Sequence, residues 1–188
     1  MHARRRDNIN CFQINLQHSR TATSNLGQLI NQHNVDITYV QELYIINNKF
    51  AGLPRFHRVY TFGDGRKTTA IVINNDQLDA TVITQLSNEE CVAVKVGSEA
   101  VSVYSVSMYF DSRRDIEEDI GQLEKVMVYT KGNGLLIAVD SNATSSGFGG
   151  LELACWPLVP KFAGSNPAEA VEFFRAKKPS ARLPSEGK

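Results

Sequence analysis

Residues 9–16, "INCFQINL", read as a buried strand with imperfect alternation of apolar and polar positions. Ala22, Leu26, Leu29, Ile30 and His33 then fall on one helical stripe, with Thr21 and Thr23 as candidate N-caps. Residues 35–42, "VDITYVQE", form a second strand, and strand–helix–strand at this spacing predicts parallel neighbours. A loop over residues 43–56 follows, punctuated by Gly52-Leu53-Pro54.

A run of short strands comes next, divided by turn signals. "HRVYTF" ends at Gly63-Asp64-Gly65, "TTAIVI" at Asn74-Asn75-Asp76, and "ATVITQL" follows. "CVAVKV" turns at Gly97-Ser98 into "AVSVYSVSMYF", where Val101, Val103, Ser105 and Ser107 alternate with Ser102, Tyr104, Val106 and Met108 as in a sheet strand of a sandwich. A second helix is expected from Asp111-Ser112, with Ile116, Ile120, Leu123 and Met127 as its apolar stripe and Gly132 and Gly134 as stop signals. "LLIAVD", residues 135–140, is continuously apolar, as in a strand covered on both faces. This order predicts an α/β sandwich of mixed sheets with helices outside. After Ser146 the pattern stops: five of six prolines and the only tryptophan lie in the last 42 residues, where Asn166-Pro167-Ala168-Glu169 could open one short helix over 166–178.

Composition narrows the class. Among 188 residues, 42% are hydrophobic and 21% charged, which suits a soluble globular domain. No apolar run is long enough to span a bilayer, and "MHARRRDNIN" lacks the apolar core of a secretory signal. Cys11, Cys91 and Cys155 are too scattered for a disulfide framework or zinc site, so an intracellular, reducing compartment is expected. Net charge is zero, and the last 42 residues carry six Lys/Arg against four Glu. A binder relying on bulk charge would be basic, so contact with DNA would have to be local and weak. Arg4-Arg5-Arg6 reads as a short solvated arm within residues 1–7.

Polar residues end several apolar strands: Asn15, Glu42, Tyr109, and the pair Asp140 and Asn142. Ligands bind beyond the carboxyl ends of parallel strands, about 5 Å apart, so two carboxylates and an amide would converge there. Such an oxygen set suits Mg2+, with Mn2+ as an alternative, while Asn142 and Tyr109 can donate to a phosphate. Each residue also has an ordinary reading: Asp140 as a cap or turn residue, Tyr109 as a core aromatic. Asn15 resists that reading, because Asn is depleted in strands.

"FQINLQHS", "YVQELY", "VSMYFDS" and "IAVDSNATS" occur in the order found in the endonuclease/exonuclease/phosphatase superfamily, and the chain resembles most the apurinic-type endonuclease domain of insect non-LTR retrotransposons. The resemblance spans residues 8–146 and implies a partial four-layer α/β sandwich whose C-terminal half is missing, with residues 147–188 an unrelated tail. It also implies Mg2+-dependent hydrolysis of DNA. Asn15 would orient the site, Glu42 hold the metal with Asn15 and Asp140, and Tyr109 contact the scissile phosphate. Asp140 and Asn142 would act on the nucleophile and transition state. The family's Ser-Asp-His motif, which supplies its general base, has no counterpart: no Asp follows Asp140 and no His follows His57. Weak or absent activity is therefore expected, with a nuclear location if the chain functions and no small-molecule cofactor. His18 could reach the site as a substitute, although a lone loop His usually faces solvent. A small phosphomonoesterase or lipid phosphodiesterase, a non-catalytic binding module and a genomic relic without selected activity are the rival readings.

Overall fold

The computed structural model describes residues 9–54, 57–97 and 102–142. The N-terminal arm, the proposed joint near Ser146 and the helix expected over 166–178 lie outside the described residues. Among the described residues ten strands and two α-helices run in the order β1 (Cys11–Asn15), α1 (Arg20–Gln32), β2 (Ile37–Gln41), β3 (Ile45–Ile46), β4 (Lys49–Phe50), β5 (Arg58–Tyr60), β6 (Thr69–Ile73), β7 (Asp79–Val82), β8 (Cys91–Gly97), β9 (Ser102–Tyr109), α2 (Ile116–Tyr129) and β10 (Gly134–Asp140). One sheet has the order β1-β2-β6-β5, the other β10-β9-β8-β7, and β3 and β4 form a separate hairpin. Among the described residues parallel pairing is confined to β1 with β2 and β9 with β10, as the two α-helical crossovers require.

Period-two alternation sorts the strands into layers. On β2 and β6, Ile37, Tyr39, Ile71 and Ile73 face the second sheet, where they meet Leu78, Val92, Val94, Val96 and Ala138. Val40, Ala70 and Val72 point the other way, onto Leu26 and Ile30 of α1. The outer face of the second sheet offers Cys91, Ala93, Val106, Met108 and Leu135 to Val126 of α2. The result is helix, sheet, sheet, helix: the four-layer α/β sandwich expected.

The structure departs from the sequence reading at several ends. Ser19 caps α1, accepting from the Ala22 amide at 3.2 Å, while Thr23 donates its hydroxyl back to the Ser19 carbonyl at 2.8 Å. The expected loop over 43–56 contains the short β3–β4 hairpin. "ATVITQL" gives a strand only to Val82 and then one 3-10 turn, Thr84–Leu86. The second helix starts at Ile116, capped by Asp115, whose side chain accepts from the Glu117 amide. Its packed side is also rotated from the predicted stripe: Asp119 and Val126 are buried and Leu123 packs beside Val126, whereas Ile116, Ile120 and Met127 are exposed. Gln122 fixes that rotation by donating to the Leu86 carbonyl at 2.7 Å.

Candidate active site

The layer between the two sheets changes character along the strands. At one end it is apolar; toward the C-terminal ends of β1, β2, β9 and β10 the inward positions become polar. Tyr39 meets the Ser105 hydroxyl, and Gln41 donates to Ser107 at 3.0 Å. Thr69 shares a 2.6 Å hydrogen bond with Ser107 and donates to the Val40 carbonyl at 3.0 Å. Gln13 reaches across to the Val139 carbonyl at 3.0 Å. Because Gln41, Thr69, Ser105 and Ser107 are buried from water, each of these groups needs its partner, which fixes the two sheets in one register.

This ladder ends in the predicted site. Asn15 and Gln41 are partners across the first parallel pair, and Tyr109 and Asp140 across the second. Asn15 donates from Nδ2 to Asp140 Oδ2 at 2.6 Å, joining the two sheets directly. Asp140 Oδ1 accepts from the Asn142 amide at 3.3 Å, and Asn142 Nδ2 donates to the Phe110 carbonyl at 2.7 Å. Tyr109 donates its hydroxyl to Glu42 Oε1 at 3.0 Å, and Asn142 acts on the same phenol. All five predicted residues, Asn15, Glu42, Tyr109, Asp140 and Asn142, are thus linked in one cluster.

Electrostatics favour a protonated phenol. Burial pushes the Tyr109 ionisation upward, the Asn142 side chain opposes it, and the bond to Glu42 adds to the rise. Beside it, Asp111 is held well below the usual carboxylate range by bonds from the Arg113 side chain and amide. Among the described residues no three His, Cys, Asp or Glu side chains gather as a metal cage. The donors present are the Glu42 and Asp140 carboxylates and the Asn15 amide oxygen, an oxygen-only set. That set fits a hard cation that keeps water and substrate phosphate in its remaining positions. Burial pushes the Cys11 thiol up to about 12 and the Cys91 thiol up to about 11, so neither is a nucleophile at neutral pH.

Sequence reasoning passed over Gln13, Gln41, Thr69 and Ser107, though each is a polar residue on the inward phase of a strand. It also passed over Asp111, Arg113 and Arg66. His18 is exposed, as a loop histidine usually is, but it is not loose: its Nδ1 lies 2.9 Å from the Leu43 carbonyl.

No protein-family profile matches the chain. Over 103 residues it is 30% identical to the Retrovirus-related Pol polyprotein from type-1 retrotransposable element R1 of Bradysia coprophila, covering 53% of this chain and 10% of that protein. The structure superposes on the endonuclease domain of TRAS1, a telomere-specific non-LTR retrotransposon, with a TM-score of 0.66 and 25% identity, covering 74% of this chain and 61% of that domain. D. rerio TDP2, solved with a single strand DNA product, matches with a TM-score of 0.54 at 15% identity, covering 73% and 62%, a likeness of fold alone. The chain therefore spans about three-fifths of the domains it resembles and a tenth of the polyprotein. In fold and in sequence the chain is thus similar to endonuclease domains of non-LTR retrotransposons, the resemblance that its strand-end motifs also carry.

Proposed function

We propose that this chain carries the metal-binding and phosphate-binding half of a Mg2+-dependent DNA endonuclease and cleaves phosphodiesters slowly by itself. The observation that carries the reading is the bonded cluster of Asn15, Asp140, Asn142, Tyr109 and Glu42 at the joined carboxyl ends of two parallel strand pairs. Glu42, Asn15 and Asp140 would hold the ion, Mg2+ or Mn2+, which when bound polarises a phosphoryl oxygen and offsets charge on the leaving oxygen.

The chain's own groups do the rest. Tyr109, kept protonated, donates its O–H to a phosphate oxygen that takes the place of Glu42 as acceptor. Asn15 holds Asp140 in place from the neighbouring sheet, which leaves Asp140 to orient an attacking water as an acceptor. Asn142, fixed by its bond to the Phe110 carbonyl, supplies an amide beside the same phosphate. A family-type Ser-Asp-His base has no counterpart in these 188 residues, and a positioned base contributes about 10²–10⁴-fold. Turnover by this chain is placed that far below a site that has one.

The test is relaxation of supercoiled plasmid by the purified protein, with Mg2+ or with EDTA, beside Glu42→Ala and Asp140→Ala. Slow, metal-dependent nicking lost in both variants is expected. Nicking that persists in EDTA or in both variants, or none at all from soluble folded protein, overturns the proposal.

A further inference from the structure

We infer that Arg66, oriented by His18, is a phosphate-binding arm of the site. It receives a nucleic-acid backbone phosphate next to the one held at Glu42 and Tyr109. The inference rests on the phosphodiesterase reading above and adds to it a second phosphate contact, and with it a preference for polymeric substrate.

Arg66 lies in the β5–β6 loop, which is stapled down on both sides. Glu89 Oε1 accepts from the Gly65 amide at 2.8 Å, and the Glu89 carbonyl accepts from the Thr68 amide and hydroxyl at 3.0 and 3.1 Å. A Cβ on Gly65 would meet Glu89 Oε1 at 2.2 Å, so a larger residue there would push the Glu89 carboxylate off the Gly65 amide. On the other side Lys67 donates to the Asn48 carbonyl at 3.1 Å, and Asn48 Nδ2 donates to the Asp64 carbonyl at 3.1 Å. A long side chain is thereby launched from a fixed point.

Its far end is tied to the site through one ring. Arg66 Nη2 lies 3.4 Å from His18 Nε2, and His18 Nδ1 lies 2.9 Å from the Leu43 carbonyl. A carbonyl can only accept, so the ring carries its hydrogen on Nδ1 and turns the Nε2 lone pair toward the guanidinium. The His18 amide in turn donates to the Glu42 carbonyl at 2.9 Å. Arg66 is thus indexed to the backbone of Glu42, while no bond joins it to the carboxylates of Glu42 or Asp140.

Unlike Arg58, Arg113 and Arg114, Arg66 has a charge that is not committed to the fold. Arg58 donates to the carbonyls of Asn75 and Leu78, Arg113 pairs with Asp111, and Arg114 pairs with Glu90 and Glu118. Among the described residues Arg66 forms no ion pair. Its charge also reaches Asp111, two residues past Tyr109, whose carboxyl it helps to keep ionised. An exposed guanidinium held through His18 beside Glu42 matches the oxygens of a phosphodiester, and in a chain of zero net charge it is the local contact that a polyanion needs.

The experiment is equilibrium binding of a fluorescein-labelled DNA duplex in EDTA across a salt series, followed by anisotropy, with the nicking assay run beside it. Variants are Arg66→Ala, Arg66→Lys, His18→Ala, and Lys131→Ala as an exposed control of equal charge change outside the site. Loss of one phosphate contact lowers the slope of log affinity against log salt by about 0.9. That drop is expected for Arg66→Ala only; Arg66→Lys keeps the slope, and His18→Ala weakens binding with the slope unchanged. A wild type that nicks or binds DNA while Arg66→Ala keeps its slope, or loses no more than Lys131→Ala, overturns this inference and leaves the endonuclease reading standing. A wild type that neither nicks nor binds DNA removes both.

Discussion

Gln17, His18, Glu42 and Asn142 all hold left-handed backbone, with φ of 50°, 53°, 49° and 46°, and none is glycine. Non-glycine residues in this region cost on the order of 1–3 kcal/mol each, and they persist where the surroundings over-determine them. Here the surroundings are visible: the Gln17 amide bonds to Asn15 Oδ1, the His18 amide to the Glu42 carbonyl, and the Asn142 amide to Asp140. The strain turns each chain sharply past its strand end and aims Glu42 at Tyr109. Because burial raises the ionisation of Tyr109, the phenol keeps its proton through neutral pH and beyond its ordinary value of 10.0. Tyr109→Phe should therefore lower the nicking rate by about 10²-fold at every pH from 6 to 9. A Tyr109 effect that shrinks toward pH 9 in a rate–pH profile would count against the phenol as donor.

At the scale of elements, local caps and tertiary packing compete, and each wins somewhere. Thr21 and Thr23 both look like caps in sequence, yet α1 begins after Ser19 because the Ser19 carbonyl takes both the amide and the hydroxyl of Thr23. That leaves Thr21 exposed on the first turn. Ser19→Ala should cost about 1 kcal/mol, whereas Thr21→Ala should stay within about 0.5 kcal/mol of wild type. Urea unfolding midpoints of the two variants would check this, and equal losses would contradict the assignment. Helix α2 shows the opposite outcome. Of its expected stripe only Leu123 keeps contact with the core, and Ile116, Ile120 and Met127 face outward, because Gln122 and Val126 lock the helix onto Leu86 and the second sheet.

Across the whole molecule, one buried histidine ties stability to pH. His57 is 7% exposed, and burial pushes its protonation below the ordinary value of 6.5. The unfolded chain therefore takes the proton first as pH falls. His57 supports the fold fully above pH 6.5 and withdraws that support as pH drops through and below that value. The urea midpoint should fall between pH 7.5 and 5.5, and His57→Gln should flatten the change. A wild-type midpoint that rises over that interval would refute the sign. The four layers also define where the fold is held: β2, β6, β8 and β9 are interior to the described sheets, while β1 and β10 lie at their edges and carry Asn15 and Asp140. The site thus sits where two sheet edges are clamped together by side chains rather than by strand pairing.

Much of this was legible in the chain itself. Near-continuous apolar runs in "TTAIVI" and "CVAVKV" and the alternation in "AVSVYSVSMYF" marked the sheet strands, because a strand covered on both faces needs apolar side chains on each. Asn15, Glu42, Tyr109, Asp140 and Asn142 stood out as polar residues ending apolar strands, and short strands leave few other places for them to go. Helix ends and helix rotation were not legible, since competing caps and apolar stripes on one segment differ by about 1 kcal/mol or less, which tertiary contacts override. Nor were the partners Gln13–Val139, Asn15–Asp140 and Tyr109–Glu42, which join residues 67 to 126 positions apart. The sequence by itself determined which residues could do phosphoester chemistry and on which strands they stand. Only the tertiary structure decided which carboxylate each one meets, because bonds across two packed sheets depend on how the sheets register.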